Sequence, residues 1–147
     1  MAFRDEMAWH MRLYAELQTT RGRRAYWYFF THEPPVAAGV RNLRATHTAE
    51  IPYVFNNLAP RRVFPDVSSP ELASASARDK ALAETVSSYW VNFARKGDPN
   101  GIGLPPWSAF RDRKTSAPMI LGDIKEMPDP AKLAPYDALY SNLMAVK

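Results

Sequence analysis

Residues 44–58 read RATHTAEIPYVFNNL, and the passage from polar to apolar within them organises the rest of the chain. His47 lies on a short polar loop that runs directly into an apolar, helix-like segment opened by Glu50, Ile51 and Pro52. Proline is accepted in the first turn of a helix, where its missing N–H has no partner to lose. The imidazole of a loop histidine can take and return a proton near neutral pH, because its unperturbed pKa is about 6.5. His47, held by a rigid neighbour, is therefore the first candidate for a general base.

Upstream of this loop, Ala25 to Thr31 (AYWYFFT) is too aromatic and too short for a helix and lacks the alternation of a half-exposed strand. It predicts a fully buried central strand. Such a strand needs neighbours at both edges and layers on both faces, and Pro118 to Leu121 (PMIL) is the one other plausible strand. Two strands do not complete that sheet. The remainder is expected from another chain or from a missing N-terminal portion.

Around these segments the sequence predicts helices. Phe3 to Thr19 carries Phe3, Met7, Met11, Tyr14 and Leu17 on one stripe, with Gly22 as its stop. Val36 to Thr46 is a surface excursion, and Tyr53, Val54 and Phe55 form an aromatic wedge for the core. After a proline-bearing connection from Ala59 to Val67, Ser68-Ser69-Pro70-Glu71 has the pattern of a helix cap. The long helix that follows places Leu82, Val86, Tyr89, Trp90, Phe93 and Ala94 on one face and ends at Gly97-Asp98-Pro99-Asn100-Gly101. Ile102 to Phe110 reads as loop with a buried Trp107. A last helix, about Pro130 to Met144, presents Leu133, Tyr136, Leu139, Tyr140 and Leu143.

The string HTAEIPYVFNNL resembles the histidine loop of type-B carboxylesterases, the family of para-nitrobenzyl esterases and cholinesterases. RDEMAWHMRLYAELQTTRGRRAYWYFFTHEPP is similar to the helix and strand that precede that loop, and YWVNFARKGDPNG with LPPWSAF is similar to the segments that follow it. The resemblance covers nearly the whole chain in the family's order. It implies an α/β class, the C-terminal part of an α/β-hydrolase fold: helices plus about two strands of a larger, mostly parallel sheet, with residues 1–147 as one incomplete domain. It implies that His47 is the triad histidine of a serine ester hydrolase acting on a small-molecule carboxylic ester. The family's serine and acid lie upstream, and no GxSxG occurs here, as the order serine, acid, histidine requires of a C-terminal piece. Arg44 stands where the family pattern has glycine, so the loop is expected to reach His47 without a positive φ at that position. The same motifs would serve as scaffold in a non-catalytic, cholinesterase-like adhesion or interaction module, the rival class.

Other chemistries find less support. The 147 residues, 46% hydrophobic and 23% charged, can build a real core. The net charge of +4 comes from scattered basic residues, clustered only at Arg21–Arg24 and Arg61-Arg62, while the aromatics follow core periodicity. That is a solvated surface and not a nucleic-acid face. No cysteine is present, so there is no disulfide framework and no thiolate metal site. With three histidines and no HExxH pair, neither a metal nor a cofactor is expected. No apolar run reaches the roughly 18 residues of a membrane span. His10 reads as a packed or surface helix residue. His32, at the end of the predicted strand, is the rival to His47, since open α/β sheets place ligand sites there. Glu50 follows the histidine and so is not the triad acid. Its expected role is to steady the loop or to place a charge at a helix start.

Overall fold

Trp9 and Arg12 lie on one face of the first helix, and both send their polar ends to a single carboxylate on the last. The indole Nε1–H donates to Asp137 Oδ1 at 2.8 Å, and Arg12 Nη2 donates to Asp137 Oδ1 at 2.7 Å and Oδ2 at 2.8 Å. In the computed structural model, which describes residues 3–59, 74–123 and 130–145, the elements run in the order α1 (Phe3–Thr20), β1 (Tyr28–Phe30), α2 (Ile51–Val54), α3 (Ala77–Lys96), β2 (Met119–Leu121) and α4 (Pro130–Ala145). β1 and β2 form a two-stranded sheet. Met119 N–H donates to Trp27 O at 2.8 Å and Thr31 N–H to Leu121 O at 3.0 Å, so the residue numbers rise together and the pair is parallel.

The chain forms two compact units. The first comprises Met1–Phe29, Ser108–Met119 and Lys125–Lys147. Its core is Trp9, Leu133 and Tyr136, with Ala8, Leu13 and Tyr140 packed against them. Trp9 stacks on Tyr136 at 6.0 Å and meets Tyr140 edge-on at 5.5 Å. α1 ends at Gly22, which has φ 71° and donates its N–H to Thr19 O at 2.9 Å.

The buried face of α1 differs from the predicted stripe. Trp9, Arg12 and Ala15 are buried, while Met7, Met11, Tyr14 and Leu17 are exposed, Tyr14 by 63%. The reason is electrostatic. Arg12 is buried because Asp137 pairs with it, and a hydropathy pattern scores such an arginine as solvent-facing. Leu133 and Tyr136 of α4 are buried as expected, whereas Leu139 is exposed.

The second unit comprises Phe30–Trp107 and Ile120–Ile124. α3 begins at an N-cap, Ser76, in a capping box with Asp79, and ends at Gly97 in the left-handed region. The predicted cap at Ser68–Glu71 and the connection before it lie outside the described residues, apart from Ala59. Val86 and Tyr89 are buried as predicted. Phe93 and Ala94 are instead exposed, beyond the end of the buried row Asp79, Ala83, Val86 and Tyr89. Trp107 is buried as expected. Tyr89 and Trp90 flank it, with ring centroids 5.2 and 6.0 Å away, and Tyr89 OH donates to Pro105 O at 2.6 Å. Asn100 fixes the Trp107 backbone from both sides: Trp107 N–H donates to Asn100 Oδ1 at 2.7 Å, and Asn100 Nδ2 donates to Trp107 O at 2.9 Å.

The predicted central strand is shorter and less buried than the sequence suggests. Ala25–Thr31 contributes only Tyr28–Phe30 as strand, and all three residues are half-buried, as are Met119 and Ile120 of β2. A two-stranded pair cannot close both faces over a strand, whatever its hydrophobicity.

Removing the carboxylate that pairs with Arg12 leaves a buried guanidinium without its counter-charge. Asp137→Ala is therefore expected to lower stability by about 3 kcal/mol. Comparison of urea midpoints with the parent protein measures this, and a change below about 1 kcal/mol contradicts a structural role for the pair.

Candidate active site

The histidine loop is built by successive tight turns. Asn42 Oδ1 accepts the Arg44 N–H at 2.7 Å, Arg44 O accepts Thr46 N–H at 2.8 Å, and Thr46 O accepts Ala49 N–H at 3.1 Å. Glu50 is the N-cap of α2, and its carbonyl accepts the N–H groups of Tyr53 at 2.9 Å and Val54 at 3.0 Å. The Glu50 side chain makes no cap hydrogen bond, and Pro52 sits in the first turn as expected. His47 is exposed on this turn, and its imidazole has no hydrogen bond among the described residues.

The expectation for Arg44 is overturned. Arg44 has φ 61° and Thr48 has φ 70°, so the loop enters the left-handed region on both sides of His47. The consecutive turns reverse the chain within a few residues, and that path needs a positive φ whether or not glycine supplies it. For a β-branched threonine the conformation is an outlier, of the kind that collects around functional loops.

His32 has a different setting. It is 7% exposed, and its Nε2 lies 2.6 Å from Asp79 Oδ1. The same oxygen accepts the Tyr53 hydroxyl at 3.1 Å. Asp79 Oδ2 accepts Ser76 N–H at 2.8 Å and the Ser76 hydroxyl at 2.5 Å. Asp79 is 4% exposed. Burial pushes its carboxyl up, yet the hydrogen bonds from Ser76, His32 and Tyr53 outweigh this and hold it below the usual carboxylate range. As a carboxylate it only accepts, so the proton of the His32 contact resides on Nε2. Burial, together with the adjacent Asp79 charge and hydrogen bond, raises the Tyr53 hydroxyl far above its ordinary value. Serine, histidine and aspartate meet here, but the Ser76 hydroxyl is committed to Asp79. The serine–histidine hydrogen bond of a nucleophile is not made.

Beneath His32 runs Gly122, with φ 130°. A Cβ there would come within 2.3 Å of the His32 backbone nitrogen. Only glycine allows that approach. The aromatic wedge divides: Tyr53 is 1% exposed, with its ring 5.1 Å from His32 and 5.4 Å from Phe30, whereas Phe55 is 75% exposed and not core. His10 is exposed and meets Trp9 edge-on at 5.0 Å.

Residues 2–136 match the family model described as the carboxylesterase family. The chain belongs to the carboxylesterase family. It is similar to the medium-chain fatty acyl-CoA hydrolase precursor of Anas platyrhynchos, with 39% identity over 92 residues, 60% of this chain and 14% of that protein. It is similar to the cocaine esterase of Homo sapiens, with 32% identity over 87 residues, 58% of this chain and 14% of that protein. The crystal structure of the Geobacillus stearothermophilus carboxylesterase EST55 at pH 6.8 matches with a TM-score of 0.56 and 29% identity over 82% of this chain and 23% of that one. The chain thus spans well under a third of each. The helices and parallel strand pair of this carboxylesterase segment are part of an α/β-hydrolase architecture.

Among the described residues, no group of three or more His, Cys, Asp or Glu side chains is placed to hold a metal ion, and no helix is long and apolar enough to cross a membrane. The residue missed in the sequence is Asp79. Its signal was present as Ser76-Ala77-Arg78-Asp79, a capping-box spacing, but that spacing says nothing of the contacts to His32 and Tyr53.

Two outcomes follow from this geometry. The folded-state pKa of Asp79 is depressed, so its contribution to stability is present above its ordinary value of about 4 and is lost as pH falls through the folded value. Asp79→Asn is expected to flatten the acid limb of stability against pH, read from urea midpoints between about pH 7 and about pH 3. Thr48→Gly releases a left-handed penalty of roughly 1–2 kcal/mol and adds roughly 0.4–1 kcal/mol of unfolded-chain freedom. A net stabilisation of about 0.5–1 kcal/mol is expected from the same unfolding curves, and a clear loss contradicts strain at Thr48.

Proposed function

We propose that this chain is the C-terminal portion of a serine carboxylic ester hydrolase and that His47 is its general acid–base. In such an enzyme the imidazole removes the serine proton as the oxygen attacks the ester carbonyl. It then protonates the departing alcohol, while an acid holds the ring in the correct tautomer. The serine, the acid and the oxyanion donors are supplied by sequence outside residues 1–147, and the substrate is a small-molecule carboxylic ester. Glu50 steadies the loop at the start of α2.

One observation carries the assignment. Within the family match, His47 presents an exposed imidazole on a turn, whereas His32 is buried against Asp79 and His10 lies against Trp9 on α1. A proton carrier has to reach its reacting partner.

In the full-length enzyme carrying this segment, His47→Ala is expected to reduce kcat/KM for a p-nitrophenyl ester by about 1,000-fold or more with the melting temperature retained. His32→Ala is expected to act first on stability, since it removes one of the hydrogen bonds that fill the acceptor sites of the buried Asp79. Near-normal turnover in the His47 variant, with loss confined to His32→Ala, reverses the assignment. Silence of both in a chain without a GxSxG serine favours the adhesion class. Residues 1–147 alone are expected to self-associate and to show no His47-dependent turnover.

A further inference from the structure

α2 has only four residues, Ile51–Val54. A helix that short has no stability of its own, since it forms too few bonds to offset its nucleation. Something outside it must hold it, and with it the turn that bears His47. The attachment is Tyr53. Its ring is enclosed by His32 and Phe30, and its hydroxyl ends on Asp79 Oδ1. Asp79 belongs to the first turn of the 20-residue α3 and is braced by two hydrogen bonds from Ser76 and one contact from His32. Between His47 and Tyr53 the backbone is tied at short range, Ile51 N–H to Thr48 O at 3.2 Å and Tyr53 N–H to Glu50 O at 2.9 Å. A displacement of Tyr53 is therefore passed on to the turn. The left-handed Thr48 adds a reason for the anchor, because a strained turn relaxes unless its surroundings hold it.

We infer that Asp79, acting through the Tyr53 hydroxyl, is a positioning residue for His47: it fixes α2 to the N-terminus of α3 and so sets where the imidazole stands. The inference rests on His47 being the acid–base, as proposed above. Neither Asp79 nor Tyr53 touches the reacting atoms. Their part is to hold the imidazole in the narrow geometry where proton transfer is efficient, and misplacement by about 1 Å can cost on the order of 100-fold.

The test uses the full-length enzyme with Tyr53→Phe, which deletes one oxygen and keeps the ring, together with Asp79→Asn and His47→Ala. Two quantities are read: amide hydrogen exchange across residues 46–54, and the separate kcat and KM for a p-nitrophenyl ester well below the melting temperature. Expected for Tyr53→Phe is faster exchange confined to 46–54, with α3 still protected, and a kcat lower by about 10-fold at a KM within about twofold. Asp79→Asn is expected to move both quantities in the same direction and further. Unchanged exchange at 46–54 in both variants overturns the inference, as does a loss of protection spread evenly over α3, which would mark an ordinary stabilising contact. Local loosening with an unchanged kcat, in an enzyme that His47→Ala inactivates, also overturns it. If His47→Ala is itself active, the acid–base assignment fails, and the exchange result alone then decides whether Asp79 holds the loop.

Discussion

The carboxylate of Asp79 accepts hydrogen bonds on both oxygens, from the strand-end His32 and from Tyr53 of α2 on one, and from the backbone and hydroxyl of Ser76 on the other. A charge buried this deeply is tolerated only when its acceptor sites are filled. Filling them brings a strand end, a short helix and the start of a long helix to one point in the second unit. Gly122 belongs to the same arrangement, since its bare Cα is what lets the chain run beneath His32. The buried histidine, which in sequence rivals the loop histidine for a catalytic role, is paired with an aspartate.

The first unit uses the same device. Asp137 collects the indole of Trp9 and the guanidinium of Arg12, and Arg113 reaches both Asp137 and Glu16. In each unit a single acidic side chain is surrounded by donors from elements far apart in sequence, with aromatic rings packed beside it. Hydrophobic burial alone does not choose which face of an amphipathic helix turns inward when both faces carry apolar groups. A paired buried charge does, because the unpaired alternative is costly. That is why α1 turns Trp9 and Arg12 inward and leaves Met11 and Tyr14 in solvent.

Around His47 the backbone carries information that side-chain chemistry does not. The two left-handed residues that flank it and the proline in the turn after it make a tightly turned loop on which His47 is exposed. Neither arginine nor threonine favours that conformation. The surrounding hydrogen bonds hold it, which ties the loop's position to the packing of Tyr53 rather than to the intrinsic preference of its own residues.

Much was determined by the sequence itself. The order of helices and strands, the Gly22 and Gly97 stops, the burial of Trp107, the excursion from Val36 to Thr46 and the exposed loop histidine before Pro52 all follow from local periodicity and turn chemistry, which act over a few residues. The family resemblance was likewise legible in contiguous strings such as HTAEIPYVF. Only the tertiary structure decided which stripe of α1 faces inward, that Phe55 lies outside the core while Tyr53 lies within it, and that His32 belongs to Asp79, 47 positions away. Those outcomes depend on pairing between distant polar groups. A linear pattern counts arginine, aspartate and histidine as surface, and only when the chain is folded does each meet the partner that makes its burial favourable.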